Sequence, residues 1–296
     1  MSKLITAIGF TLAVTVAVFG QPSANSVFRE YVAQRIGASS ENKVESGTSP
    51  IDRICPIDAS ILARRVFAEY GAIFAATEKV NIPPTCIFQD EAAVSSFRST
   101  LKIQQITIRG TNLLLQKDAA DALMKVLEDA EIQGITIAPL DGSIAGGRTY
   151  YETLRIWNSR FEPALEYWSR RGVTTAEEVA AIRSMKLEQQ VEKVIEWETK
   201  GYWFGTNRNG SIFSSTAPPG TSQHISLIAL DVAPPVTPSK RALLNVGGWF
   251  QTVKGDPGHF TYLGVPESNL PTRGLKAILS DGTTYWVPDL TDVPRH

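Results

Sequence analysis

The sequence is poor in the residues that most often hold metal ions or build disulfide networks. Its 296 residues include 3 histidines and 2 cysteines. Two cysteines cannot form a cysteine-rich zinc module, and three histidines leave few ways to build a histidine-based metal site. An excess of one charge is also lacking, since 29 basic residues face 30 acidic ones. A near-neutral chain gives no electrostatic reason to expect nucleic acid as a partner, and 43% hydrophobic residues indicate an ordinary globular protein.

Long hydrophobic runs are absent except at the start of the chain. Residues 4–19 form an uncharged apolar stretch directly after Lys3, and small residues follow around Gly20 and Ala24. This order predicts an export signal peptide over residues 1–25. A membrane-spanning helix needs about 20 apolar residues, so a retained anchor is the less favoured alternative. We therefore expect a periplasmic or secreted protein with no stable membrane insertion after cleavage.

The two cysteines are interpreted in the light of that compartment. In an oxidising environment Cys55 and Cys86 are predicted to form one disulfide. Their separation in the sequence fits neither a redox motif nor a zinc motif. On the chain-entropy model, closing a loop of about 30 residues stabilises the fold by roughly 3–4 kcal/mol.

The rest of the chain divides into segments of different composition. Residues 26–50 are predicted to be a flexible linker, because 38–50 is polar, small and aperiodic. We expect an N-terminal portion over 51–140, a core over 141–264 and a C-terminal tail over 265–296 with a terminal hairpin. Helices and strands do not alternate regularly, which predicts an α+β fold. Apolar spacing and turn residues predict helices over 58–79 (N-cap Asp58), 118–133, 149–168, 175–200 and 238–246, and strands over 103–109, 113–116 and 135–138.

Two of the three histidines lie in segments that look suited to metal binding. His224, Asp231 and His259 would offer two imidazole nitrogens and one carboxylate, and would leave a fourth position for water. That is the ligand set of a catalytic zinc site. His224 and Asp231 are seven residues apart, so on a straight strand they would face opposite sides. The chain must therefore bend between them if both are ligands.

An acidic residue precedes the second histidine. Residues 256–259 read Asp-Pro-Gly-His, the signature of a type II turn, whose ends lie within about 7 Å at Cα. Asp256 would then stand beside His259 and act on the water. Asp256 as a plain turn residue is the alternative. A nucleophilic triad of Ser222, His224 and Asp231 is disfavoured, because the serine lacks the Gly-x-Ser-x-Gly context of hydrolase elbows.

Together these segments resemble the LAS zinc peptidases of the peptidase M15 group, which include D-alanyl-D-alanine carboxypeptidases. The family pattern is Ser-x-His-x-x-Gly-x-Ala-x-Asp, followed by Glu-x-x-His. The resemblance covers about residues 140–264 and implies a central antiparallel sheet flanked by helices, with an N-terminal helical extension. It also implies that His224, Asp231 and His259 bind Zn²⁺. The matching positions are Ser222, His224, Ala229, Asp231 and His259.

The resemblance also suggests roles around the metal. Residues 146–150 are similar to the family's Tyr-Arg-Ser-Tyr segment, which implies that Arg148 holds a carbonyl or carboxylate of the substrate during catalysis. Ser222 would bind the substrate or a ligand, or else is a loop hydroxyl. Two positions depart from the pattern. Leu227 replaces a glycine, and Asp256 replaces the catalytic glutamate with a side chain about 1.5 Å shorter.

The sequence thus predicts a secreted zinc metallopeptidase that cleaves peptidoglycan stem peptides, in the first place a D-alanyl-D-alanine carboxypeptidase with Asp256 as general base. Peptidoglycan peptides are the expected partners. The two departures leave an alternative, a non-catalytic protein that binds zinc or wall peptides on the same fold.

Overall fold

The computed structural model describes residues 26–39 and 50–290. The predicted signal peptide over 1–25 lies outside these residues, as do 40–49 of the predicted linker and the last six residues of the predicted tail. In the part of the chain that is described, no helix has the length and apolar character needed to cross a membrane.

Helices and short antiparallel strands make up the fold, which confirms the predicted α+β class. The helices are α1 Val27–Ser39, α2 Pro50–Ile54, α3 Ile61–Tyr70, α4 Glu91–Arg98, α5 Lys117–Ile132, α6 Tyr150–Arg170, α7 Ala176–Ser184, α8 Leu187–Thr199 and α9 Pro238–Val246. The strands are β1 Ile103–Ile108, β2 Thr111–Gln116, β3 Ala229–Asp231, β4 Trp249–Phe250, β5 His259–Tyr262, β6 Leu275–Ser280 and β7 Thr283–Pro288.

Helix α1 overturns part of the linker prediction. Phe28 and Val32, one helical turn apart, are both 0% exposed. The ring of Phe28 packs against Phe67 in α3, with 5.1 Å between the ring centroids. The linker predicted over 26–50 is therefore wrong for its first half, because an apolar stripe at helical spacing anchors this segment to the core.

The helix predicted over 58–79 is shorter than expected. Ser60, not Asp58, caps α3, because the Ser60 hydroxyl accepts a hydrogen bond from the Ala63 amide at 3.1 Å. Asp58 instead pairs with Arg29, at 2.7 Å. The helix ends at Tyr70, and a 3₁₀ turn over Gly71–Ala75 follows.

Two further predictions need correction. The helix expected over 175–200 divides into α7 and α8, with Met185 in extended conformation between them. Thr175 and Glu178 form a capping box at the start of α7. Residues 135–138 do not form a strand. The segment that follows them makes only a few hydrogen bonds with the end of β3 and the residues after it. The pairing is therefore limited to an isolated bridge between Pro139 and Val232.

The strands form three small antiparallel sheets. In the central sheet the order is β3-β5-β4, and its register pairs Asp231 with His259. Strands β1 and β2 form one hairpin, and β6 and β7 form another. The turn of the second hairpin is Asp281-Gly282, with φ of 49° and 71°, as a type I′ turn requires. The predicted terminal hairpin is therefore confirmed.

One continuous hydrophobic core joins the segments that differ in composition. It extends from Phe28 in α1 to Leu290 after β7. The disulfide predicted between Cys55 and Cys86 is present, with 5.3 Å between the Cα atoms. The disulfide connects the segment before α3 to the loop before α4. Further along this loop, the Phe88 amide donates to the carbonyl of Gly220, which lies just before the Ser-x-His motif, at 2.9 Å. Residues 51–140 and the C-terminal hairpin thus both pack around the central sheet.

Candidate metal centre

The chain bends sharply between the first histidine and the aspartate. His224 lies in a 3₁₀ turn over Gln223–Ser226, and Asp231 ends β3. Between them Leu227 is left-handed, with φ 56° and ψ 32°. The bend required by the seven-residue spacing is therefore present, at the position where the resembled family has glycine.

A leucine in this conformation is unusual, because the left-handed region costs a non-glycine residue about 1–2 kcal/mol. The Leu227 side chain is 1% exposed. It fills the space above Gly147, where an added Cβ would lie 2.6 Å from the Leu227 Cδ2. The Leu227 carbonyl also accepts a hydrogen bond from the Gln116 amide at 2.8 Å. Packing and this bond offset the backbone strain.

The bend brings three ligand atoms to one point. The His224 Nε2 lies 3.2 Å from the His259 Nδ1. The Asp231 Oδ1 lies 3.0 Å from the His259 Nδ1 and 3.2 Å from the His224 Nε2. Zinc bonds of about 2.0–2.2 Å in tetrahedral geometry separate ligand atoms by about 3.3 Å. The three residues therefore have the spacing of a group that could hold a metal ion.

Hydrogen bonds on the far side of each ring assign the protons. The His224 Nδ1 lies 3.0 Å from the Gly146 carbonyl, which can only accept. The His259 Nε2 lies 2.8 Å from the Gln223 Oε1, which also only accepts. In neutral rings these two nitrogens carry the hydrogens. The two facing nitrogens and the Asp231 oxygen then present three lone pairs to one another, an arrangement that calls for a cation.

Burial sets the charge states of two of these groups. Burial, assisted by the positive charge of Arg148, lowers the pKa of His224 to about 4, so this imidazole is neutral at pH 7. The pKa of the Asp231 carboxyl lies well below its usual range although burial opposes its ionisation, and with the facing imidazole nitrogens unprotonated the cation beside this carboxylate is the Arg148 guanidinium. A neutral imidazole and an ionised carboxylate are the forms that bind metal.

Arg148 points at a ligand residue. Its guanidinium donates to the Asp231 Oδ2 through one Nη and to the Ile144 carbonyl through Nε, the latter at 3.1 Å. From α4, the Arg98 guanidinium donates to the Arg148 carbonyl at 2.5 Å and to the His224 carbonyl at 3.3 Å. These hydrogen bonds fix Asp231 and the His224 turn through atoms that do not face the other proposed ligands. The substrate role that the resemblance implies for Arg148 stays a prediction.

Asp256 stands between two consecutive turns. The His259 amide donates to the Asp256 carbonyl at 3.3 Å, so the predicted turn over 256–259 exists. It is not type II, because Gly258 has no positive φ; the left-handed glycine is Gly255, with φ 92°, in the preceding turn over 253–256. A Cβ at Gly258 would lie 3.2 Å from the Val232 carbonyl oxygen, a tight contact that favours glycine at this position.

The carboxyl of Asp256 lies within electrostatic range of Asp231 and His259, two of the three proposed ligands. Burial raises its pKa, and a hydrogen bond from the Gly258 amide acts in the opposite direction. A raised pKa is one property of general bases, and the role of Asp256 as the base stays a prediction.

Ser222 is buried and begins the 3₁₀ turn, with no hydrogen bond from its side chain to the turn. Both ring nitrogens of His224 are directed elsewhere, one to the Gly146 carbonyl and one to the other ligand atoms. The nucleophilic triad is therefore not supported. The role of Ser222 as substrate contact stays a prediction.

Sequence reasoning missed two residues that support the site, Gln223 and Arg98. Gln223 stands between Ser222 and His224 in the motif, and this position next to a proposed ligand could have indicated that it supports the site. Arg98 lies more than 100 residues away in the sequence, and no pattern connects it to the motif.

A scan against protein-family models finds no match for this chain, nor does a search of curated proteins. Several solved structures are distantly similar. The vancomycin-resistance D,D-pentapeptidase VanY in complex with Zn(II) has a TM-score of 0.31 and 18% identity, over 55% of this chain and 79% of VanY. The D,D-dipeptidase VanXYg, in complex with a D-Ala-D-Ala phosphinate analogue, has a TM-score of 0.35 and 14% identity, over 70% of this chain and 67% of VanXYg. The LD-carboxypeptidase LdcB has a TM-score of 0.31 and 14% identity, over 58% of this chain and 68% of LdcB.

Proposed function

We propose that this chain is an exported zinc metallopeptidase that cleaves peptidoglycan stem peptides, in the first place as a D-alanyl-D-alanine carboxypeptidase. The observation that carries the proposal is the convergence of three lone-pair atoms, from His224, Asp231 and His259, next to the acidic residue Asp256. Two nitrogens and one oxygen with a position left for water are the ligand set of catalytic zinc sites. The substrate class comes from the resemblance of the sequence motifs to the M15 group.

The chain's own residues divide the work between binding and proton transfer. When bound, zinc supplies a Lewis acid that makes water nucleophilic near neutral pH and polarises the scissile carbonyl. Asp256 takes the proton of the attacking water on its carboxylate and delivers it to the leaving amine. This transfer requires hydrogen-bond distance, about 2.6–3.2 Å between heavy atoms. We propose that the turns on either side of Asp256 let its carboxylate reach this distance, although its side chain is one methylene shorter than that of glutamate.

Arg148 is proposed to act mainly on the ligand Asp231. One of its amino groups and its Nε are already engaged. A guanidinium has five N–H donors in all, so contact with a substrate carboxylate or the developing oxyanion would use the donors on its solvent side. Ser222 is proposed to hydrogen-bond the substrate or a ligand, and a plain loop hydroxyl at the start of the His224 turn is the alternative.

The test is mass spectrometry of pentapeptide muropeptides incubated with the zinc-loaded protein. We expect loss of one alanine, which a chelator abolishes and added zinc restores. The Asp256→Asn variant, loaded with zinc to the same extent, is the matched control and should release far less product. An internal cut would keep the mechanism and change the bond. No product from the folded, zinc-loaded protein would overturn the proposal.

A second candidate function is a non-catalytic receptor for zinc or wall peptides. The observation that favours it is the shorter acidic side chain of Asp256, whose hydrogen bond comes from a backbone amide and not from a metal ligand. Titration with a stem peptide separates the two functions. A receptor would bind the peptide without releasing product, and Asp256→Ala would leave that affinity unchanged.

A further inference from the structure

We propose that Gln223 is a positioning residue of the metal centre, and that its amide fixes the ring of His259 so that Nδ1 faces the metal. The inference rests on the zinc site of the proposed function and deepens it. Gln223 is 2% exposed and precedes the ligand His224 directly. One short 3₁₀ turn therefore carries one ligand and the group that orients the other.

The orientation of the Gln223 amide follows from its partners. Its Nε2 donates to the Tyr70 carbonyl at 2.8 Å, and that oxygen can only accept. Its Oε1 accepts from the Thr261 hydroxyl at 2.5 Å, and the Thr252 hydroxyl lies 3.3 Å from the same Oε1 and 2.7 Å from the Thr261 oxygen. The reverse orientation would place the oxygen against the Tyr70 carbonyl. The amide oxygen therefore faces His259.

This orientation decides which nitrogen of His259 carries the hydrogen. The His259 Nε2 lies 2.8 Å from the Gln223 Oε1 and must donate to it. The lone pair of the neutral ring is then on Nδ1, the atom that faces His224 and Asp231. Because Thr252, Thr261 and Gln223 are all nearly inaccessible to solvent, water cannot readily replace the lost acceptor.

The two histidines are fixed by different kinds of acceptor. The backbone carbonyl of Gly146 holds His224, and a side-chain amide holds His259. A side chain can be replaced without altering the chain path, so the contribution of Gln223 can be measured by substitution. Groups that hold a ligating histidine from behind typically contribute 10–100-fold to metal affinity.

The experiment uses the full chain and the variants Gln223→Met and Thr252→Val. Methionine keeps the length of the side chain and removes the acceptor, whereas valine at position 252 removes one hydroxyl next to the Gln223 oxygen and leaves His259 its partner. Zinc affinity is measured by competition with a chromophoric chelator. We expect Gln223→Met to bind zinc about 10–100-fold more weakly and Thr252→Val to stay within a few-fold of the parent protein.

The ring tautomers give a readout that a merely structural role would not change. Nitrogen-15 NMR of the metal-free protein distinguishes hydrogen on Nδ1 from hydrogen on Nε2, and a chain with 3 histidines gives a simple spectrum. We expect His259 in the Nε2–H form in the parent protein and a mixture in Gln223→Met, with His224 in the Nδ1–H form in both.

Gln223→Glu covers the case in which the methionine variant does not fold. The carboxylate keeps the acceptor for His259 and loses the donor to Tyr70, so zinc affinity should fall less than in Gln223→Met. Parent-like zinc affinity and an unchanged His259 tautomer in a folded Gln223→Met variant would overturn the role of Gln223. Failure of the parent protein to bind zinc would overturn the proposed function instead, and the tautomer spectrum would still test the contact.

Discussion

The three proposed metal ligands and the proposed base Asp256 are close in space but are held in different ways. Each ligand has a dedicated partner behind it: Gly146 for His224, Gln223 for His259 and Arg148 for Asp231. Asp256 is half-buried between two turns, and its carboxylate receives a backbone amide.

This difference indicates that the three proposed ligands are oriented before the metal binds, whereas Asp256 is held less tightly. A metal site with every ligand oriented by a second group binds its ion with little rearrangement. A base carried by a turn can adjust its distance to the substrate when the complex forms, and such hydrogen bonds often tighten only then. The comparison therefore predicts that substitutions of the groups hydrogen-bonded to the ligands alter zinc affinity. Substitutions in the turns that carry Asp256 should alter turnover alone.

The largest effect is expected from His259→Ala. Loss of a ligand should weaken zinc binding beyond the roughly 100-fold upper range typical of groups behind ligands, and turnover should disappear with it. Chelator competition and product release on the same preparation measure both. Zinc affinity equal to that of the parent protein would show that the ion binds elsewhere.

The next effect separates the two regions directly. Asp256→Asn keeps the size of the side chain and removes the base, so kcat should fall by about 10²–10⁴-fold. Zinc affinity should stay within a few-fold, because no ligand is changed. Asp256→Glu lengthens the side chain and tests whether its reach limits the rate. Full turnover in Asp256→Asn would remove this residue from the mechanism.

Arg148→Gln tests what the guanidinium does. Since Arg148 contacts the Asp231 oxygen that faces away from the other ligands, we expect zinc affinity to fall about 10–100-fold. At saturating zinc, KM should then change little. The substrate role implied by the family resemblance predicts the opposite: unchanged zinc affinity and a raised KM for peptides with a free terminal carboxylate.

The sequence could predict what depends on local patterns and short spacings. The terminal hairpin and the three candidate ligands followed from residues at most 35 positions apart. The seven-residue interval required a bend, and the structure forms it at Leu227. These features are encoded in neighbouring residues, whose conformational preferences act within one turn or strand.

Longer-range features were not predictable in this way. Arg98 supports the His224 turn from a helix far away in the sequence, and no local pattern records that contact. The burial of Phe28 and Val32 depends on α3, so the segment alone resembled a linker. The type predicted for the turn over 256–259 was wrong for a similar reason. Glycine at position 258 is favoured by its close approach to the Val232 carbonyl, which comes from another segment, and not by its own φ.

The smallest effect is expected at Gln251, which connects the Asp256 turn to the C-terminal hairpin. The Gln251 side-chain Nε2 donates to the Pro257 carbonyl at 2.6 Å. The Gln251 backbone carbonyl accepts a hydrogen bond from the Trp286 amide in β7 at 2.8 Å. Gln251→Leu removes the first bond, worth about 0.5–1.5 kcal/mol, and also removes a buried amide oxygen that has no partner among the described residues. These terms oppose each other, so thermal unfolding should shift little, and kcat should fall less than tenfold with zinc affinity unchanged. A loss of kcat as large as that of Asp256→Asn would show instead that the turn is as tightly held as the ligands, and that the contrast between the two regions is wrong.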